Sequence, residues 1–189
     1  DTVAHHAAIK RAEEKGYDVL VMDTALSSHL VNKLEQSNTD VTFARIDSDT
    51  IEKLILKEEA LPSKLSKDEE EKLKPIIEGL INSSTYSVQF ESLSEKDAPI
   101  QITQSEFMRR MAEMQKVGGQ GGFMGNMPES YNLVVNSNHA LVGKILNEGD
   151  AGAQTTLAKQ ATDLALLSVG LLKGKDLTEF INRSLEIIE

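Results

Sequence analysis

Apolar positions recur along this chain with two different periods, and the places where the period changes mark its elements. Val3 to Ile9 is amphipathic and predicts a helix up to about Lys15, stopped by Gly16, a usual residue at a helix C-terminus. Tyr17-Asp-Val-Leu-Val-Met22 is a near-continuous apolar run, as expected of a strand buried on both faces. Leu26, Leu30, Val31 and Leu34 return to helical spacing between Thr24 and Gln36, and Val41 to Ile46 predicts a second strand. Strand, helix and strand of this length predict a parallel crossover unit. Two parallel strands alone make a poor sheet, so partner strands are expected upstream. A beginning at Asp1-Thr2 rather than at methionine fits a piece cut from a longer polypeptide.

Farther along, Asp49-Thr-Ile-Glu52 predicts the start of a short helix through Lys57, and Pro62 then breaks the chain. Ser66-Lys-Asp-Glu69 is a capping box, with the acidic run Asp68 to Glu71 at the positive end of the helix it opens. Leu73, Ile76, Ile77, Leu80 and Ile81 form that helix's apolar stripe to about Asn82, with a kink expected at Pro75. Thr85 to Glu91, Pro99 to Thr103 and Ser130 to Asn136 read as strands, and Thr103-Gln-Ser-Glu106 as a second capping box. Asn138 is placed to cap a helix from His139 to Asn147. Two helices, about Gln154 to Val169 and Leu177 to Ile188, finish the chain around a hinge at Gly170 to Gly174. The whole predicts an α+β chain with a domain boundary between Glu58 and Ser66.

Composition removes whole classes of function. A net charge of −10 argues against nucleic acid, because phosphate binding needs a basic stripe and none is present. The absence of cysteine excludes disulfides and thiol chemistry. No run of about 18 apolar residues is present to span a membrane, and no secretory signal opens the chain. Adjacent His5 and His6 point about 100° apart on a helix and cannot share a metal. Gly118 to Gly125 lacks the lysine and hydroxyl residue of a phosphate cradle. No catalytic, cofactor-binding or metal-binding residue is assigned. The sharpest enzymatic candidate is Asp23, at the carboxyl end of the first predicted strand, where open α/β sheets gather ligands and where a receiver domain keeps its phospho-acceptor. The plainer reading is that Asp23 or Thr24 caps the next helix.

Two segments point to binding instead. Five of the six methionines lie between Met108 and Met127. Phe107, Met111 and Met114 fall at i, i+4 and i+7 on one helical face, with Met108 beside them. A methionine stripe repacks against many shapes, and the glycine-rich run that follows carries Phe123, Met124 and Met127. The alternative is that the stripe faces the domain's own core. At the other end, Leu164-Ala-Leu-Leu-Ser-Val-Gly-Leu-Leu172 is apolar nearly all round, so it must be buried on every face. A symmetric dimer through Leu164, Leu167, Leu171, Phe180, Ile181 and Leu185 meets that need; a single core enclosing both helices is the alternative.

The stretches Ser105 to Met114, Met127 to Val142 and Asp163 to Gly174 together resemble the heat shock protein 90 chaperones in their bacterial form, and the similarity covers essentially the whole chain. The resemblance implies that residues 1–58 are the end of the family's middle domain, 59–65 a linker, and 66–189 the C-terminal dimerization domain. It implies an ATP-dependent, homodimeric, cytoplasmic chaperone for the parent protein, with the ATP and magnesium site in an N-terminal domain that lies outside this chain. Family client-contact positions fall on Phe107, Met111 and Met114, while a further position, usually bulky and apolar, falls on Gln115. The implied partners are a second copy and unfolded client proteins, with no enzymatic activity in this chain. Two other readings remain beside it: a receiver-like signalling module using Asp23, and a purely structural dimerization scaffold.

Overall fold

The segment Tyr131–Asn136 holds four consecutive residues, Leu133, Val134, Val135 and Asn136, that are completely enclosed. It is the middle strand, β3, of a three-stranded sheet whose other members are β1 (Tyr86–Glu91) and β2 (Ile100–Thr103). Strand β1 runs parallel to β3, pairing Val88 with Leu133 and Phe90 with Val135. Strand β2 runs antiparallel on the other side, pairing Ile102 with Leu133 and Ile100 with Val135. Those pairings put Val88, Phe90, Leu133, Val135, Ile100 and Ile102 on one face, as the period of two requires. The computed structural model describes residues 5–22, 24, 27–55, 61–110 and 130–188, apart from the side chains of Ser28 and Glu52. The chain divides into two units, residues 1–56 and 57–189, and the sheet belongs to the second.

Helices cover that apolar face. Helix α4 (Lys67–Glu78) packs on β1 through Leu73 and Ile77. Helix α5 (Ala140–Asn147) adds Val142 and Ile145, and α6 (Ala151–Ser168) lies against β2 with Ala158, Ala161 and Ala165 inward. Alanines on the inner face of α6 allow a close approach, with Leu157 and Leu166 packing at its margins, while Leu164 and Leu167 stay exposed. Helix α7 (Gly174–Ile188) packs on α6.

The capping signals are realised in part. The box at Ser66 forms: its hydroxyl accepts from the Glu69 amide, and the Glu69 carboxylate accepts from the Ser66 amide at 2.8 Å. That backbone bond, then the Ser66 hydroxyl and Lys72, hold the Glu69 carboxyl below its ordinary range. Helix α4 continues through Pro75 but ends at Glu78, earlier than its apolar stripe suggested, with Leu80 and Ile81 packed on the core from the following turn. Helix α6 ends in a Schellman motif, in which Gly170 (φ +72°) donates to Leu167 and Leu171 donates to Leu166.

Beyond β3 the chain makes a buried polar junction. The Asn136 side chain donates to the Ser94 carbonyl at 2.8 Å and accepts from the Asn138 amide at 3.0 Å. Asn138, expected to cap α5, is used here instead. Its side chain donates to the Leu93 carbonyl at 3.0 Å and accepts from the Lys64 amide at 2.8 Å. The cap falls to His139, whose Nδ1 accepts from the Leu141 amide at 3.0 Å. Ser137 donates from its hydroxyl to Glu70 on α4.

The first unit contains α1 (His6–Glu14), α2 (Ser27–Ser37) and the four-residue α3 (Ile51–Leu54). Helix α1 ends as expected: Gly16 (φ +76°) donates to Glu13, and Tyr17 donates to Ala12. The two predicted strands do not form. Residues 17–22 and 41–46 have no ladder, and Leu20 is 74% exposed rather than buried on both faces. The reason is physical: apolar composition creates the tendency, but a strand exists only when another strand satisfies its backbone. No described segment of this unit pairs with either run.

Asn136→Ala orphans the Asn138 amide and leaves the Ser94 carbonyl with the Asp97 amide alone, and should cost roughly 1–3 kcal/mol in urea denaturation, against about 1 kcal/mol for Ser66→Ala at the α4 cap. A lowered folded pKa at Glu69 means its contribution is present above the unfolded carboxylate value and is lost as pH falls through the folded one. The stability gap between wild type and Glu69→Gln should therefore close on acidification.

Candidate interaction surfaces

Among the described residues of the second unit, exposed apolar side chains mark two surfaces. The larger spans α6 and α7. On α6, Leu164 and Leu167 are exposed, and on α7 Ile181, Leu185 and Ile188 are exposed, the last two 56% and 81%. Ile181, Leu185 and Ile188 stand at i, i+4 and i+7, a single stripe along α7. The apolar run at residues 164–172 thus resolves on α6 into Ala165 and Leu166 turned to the core and Leu164 and Leu167 turned outward, followed by the Gly170 turn. Leu171, after that turn, packs against the core cluster, and Phe180 is 8% exposed. Of the six residues singled out for a dimer contact, Leu164, Leu167, Ile181 and Leu185 therefore lie on the open face, while Leu171 and Phe180 turn inward. Val169, Ile187 and Ile188 also lie exposed and were not singled out, although Ile188 continues the helical spacing of Ile181 and Leu185.

Beneath that face, α6 and α7 are joined by a buried polar cluster. Asp163 on α6 is 0% exposed and accepts from both Lys159 and Arg183. The signal for it was present: an acidic residue within an apolar helix has to find a cation.

The smaller surface lies after β2. Residues 106–110 are helical, and Arg109 donates to the Ser105 carbonyl at 3.1 Å. That bond puts Ser105 at the cap, so the box expected from Thr103 does not form. Thr103 is held in β2 opposite Asn132, and its hydroxyl has no partner among the described residues. Glu106 accepts instead from Arg110 at 2.8 Å, one turn on. Phe107 is 70% exposed and Met108 half-buried. Met111, Met114, Phe123, Met124 and Met127 lie outside the described residues, as does Asp23. Next to Asp23, the Thr24 hydroxyl lies 3.1 Å from that of Ser27 at the start of α2. Among the described residues no group of three or more metal-ligating side chains converges, and no helix is long and apolar enough to cross a membrane.

The family model for the Hsp90 protein matches residues 1–189, the full span. The chain belongs to the Hsp90 family. Curated relatives agree: the chain is 38% identical over 170 residues to chaperone protein HtpG of Porphyromonas gingivalis, covering 88% of this chain and 25% of that protein. To HtpG of Bacteroides thetaiotaomicron it is 36% identical over 163 residues, 85% of this chain and 24% of that one. To the Bacteroides fragilis protein it is 36% identical over 161 residues, 84% and 24%. This Hsp90-family chain thus spans about a quarter of the length of the curated relatives it matches.

Because Phe107 stands mostly in water, Phe107→Ser in this Hsp90-family chain should shift unfolding by no more than about 0.5 kcal/mol, whereas a buried aromatic would cost several. Thermal or urea denaturation distinguishes the two.

Proposed function

We propose that this chain is the part of an Hsp90 chaperone that joins two copies and offers part of the surface on which unfolded client proteins are held. The observation that carries the dimer is the open face of Leu164, Leu167, Ile181, Leu185 and Ile188 on two adjacent helices. Each such side chain gains on the order of 1.5–3 kcal/mol when fully buried. A second copy is the occupant that suits it: a two-helix face related to itself by a two-fold axis closes into a four-helix contact and leaves nothing open to polymerise. The chaperone reading follows the relatives, which are named chaperone protein HtpG. Client contact is supported by Phe107, a large aromatic held out from the helix at 106–110, together with the methionine stripe of the sequence at Met108, Met111 and Met114 and the loop residues Phe123, Met124 and Met127.

On this reading the ATP and magnesium chemistry belongs to parts of the parent protein outside this quarter, and the working place is the cytoplasm. The chain supplies association and binding, and no catalytic step.

Sedimentation velocity at micromolar concentration should return twice the chain mass of 20.7 kDa, and Leu185→Asp should return the single mass with an unchanged helical spectrum. A wild-type monomer would overturn the dimer. Phe107→Ser should lower the capacity to keep a heat-denatured protein in solution while leaving the mass unchanged; equal capacity would remove Phe107 from the client surface. Calorimetric titration with ATP and magnesium should show no saturable heat, since no phosphate cradle or cationic clamp is assigned here.

A further inference from the structure

We infer that Asp163 and Arg183 are positioning residues for the dimer: their buried fork fixes the roll of α7 on α6 and so sets how tightly two copies associate. The inference rests on the dimer reading above. Its basis is a chain of directional bonds behind the open face. Arg183 Nη2 donates to Asp163 Oδ2 at 2.5 Å, and Lys159 Nζ donates to Asp163 Oδ1 at 2.6 Å. Arg183 Nε donates to Gln160 Oε1 at 2.8 Å, and Gln160 Nε2 donates onward to Ser184 Oγ at 2.8 Å. The Ser184 hydroxyl donates to the Phe180 carbonyl at 2.7 Å, and the guanidinium lies 5.9 Å from the Phe180 ring centre. The Asp163 side chain is 1% exposed and that of Arg183 17%.

Stability alone is a poor reason for such a cluster. Well-packed apolar side chains in place of a buried ion pair are often neutral or stabilising. Direction is what the cluster adds. A planar guanidinium that reaches a carboxylate with one nitrogen and an amide oxygen with another admits one orientation, whereas apolar contact tolerates many. The connection between the helices fixes where α7 starts, through the Gly170 turn and the buried Leu172, but Arg183 lies nine residues into α7, and there the roll is held by the fork and by Phe180. The inward face of α7 offers Phe180, with Leu177 half-buried beside it.

The open face requires Leu164 and Leu167 on one helix to be coplanar with Ile181, Leu185 and Ile188 on the other. A helix free to roll would spread those five residues over several arrangements, only one of which pairs with a second copy. Ordering it on association subtracts from affinity in proportion to the population that is out of place. The fork removes that cost before the copies meet.

The experiment measures dimer dissociation and thermal unfolding together for the full chain as wild type, Arg183→Met, Arg183→Lys and the pair Asp163→Leu with Arg183→Met. Arg183→Met strands Asp163 with Lys159 alone, and should both lower the melting temperature and weaken the dimer roughly tenfold or more. In the double variant the fully buried Asp163 carboxylate is gone, and only the half-buried Gln160 and Lys159 lose a partner, so melting should largely recover while the weak dimer persists. Arg183→Lys keeps the charge beside Asp163 but cannot also reach Gln160; it should keep its helical spectrum and still lose affinity. If affinity recovers in step with melting in the double variant, the cluster only stabilises the fold and the inference is overturned. Wild-type affinity in a folded Arg183→Lys overturns it as well, and serves as the deciding arm should the double variant not fold. A wild-type chain that is itself monomeric would instead overturn the dimer reading on which the inference rests.

Discussion

The end of β3 is the place where the second unit is tied together. Asn136 is completely buried at the last position of the central strand, where an apolar residue would leave the Asn138 amide without its partner and the Ser94 carbonyl with one bond fewer. With Asn138 it satisfies the loop at Leu93 and Ser94 and the segment at Lys64, and Ser137 between them reaches Glu70 on α4. Three pieces of chain remote in sequence are thereby fixed relative to the strand. Buried amides of this kind are costly unless every bond is made. Made, they hold one arrangement where apolar packing alone would allow several.

With the sheet and α4 fixed in that way, α6 can afford a face of alanines. Ala158, Ala161 and Ala165 bring its backbone close to β2, with Leu157 and Leu166 packed alongside, and leave Leu164 and Leu167 exposed. The open apolar face is thus a consequence of how α6 packs. The clamp from Asp163 to Arg183 then carries the same logic one layer outward, holding α7 by directional bonds to a helix that is itself held by shape.

Much of this was legible from the chain of letters. The three strands around Val88, Ile102 and Leu133, the box at Ser66 and Glu69, and the paired helices after Asp150 all declare themselves through period and capping, because each depends on residues close in sequence. What failed to show has a common cause in long-range pairing. The runs at residues 17–22 and 41–46 have strand composition but find no described partner strand. Asn138 resembles a helix cap locally, and only the approach of Lys64 and Leu93 gives its side chain another use. Thr103 and Glu106 have box spacing, yet the pairing of β2 with Asn132 holds Thr103 in the sheet. Leu171 and Phe180 look like the other apolar residues of the final helices, and only the Gly170 turn and the packing of α7 on α6 separate inner from outer. For the methionine stripe, the sequence carries Met111, Met114, Phe123, Met124 and Met127, and the structure adds the exposure of Phe107.

The central claim, that two copies meet through the outer faces of α6 and α7, has a direct chemical test because the chain contains no cysteine. Single cysteines placed at Ile181, Leu185 and Ile188 can be oxidised mildly and compared with one placed at Leu20, an equally apolar and exposed position in the other unit. The account predicts that at least one of the α7 positions forms a covalent dimer rapidly and nearly completely, at a rate that does not depend on dilution through the micromolar range, while the cysteine at position 20 does not. Slow, concentration-dependent coupling at all four positions alike would contradict it.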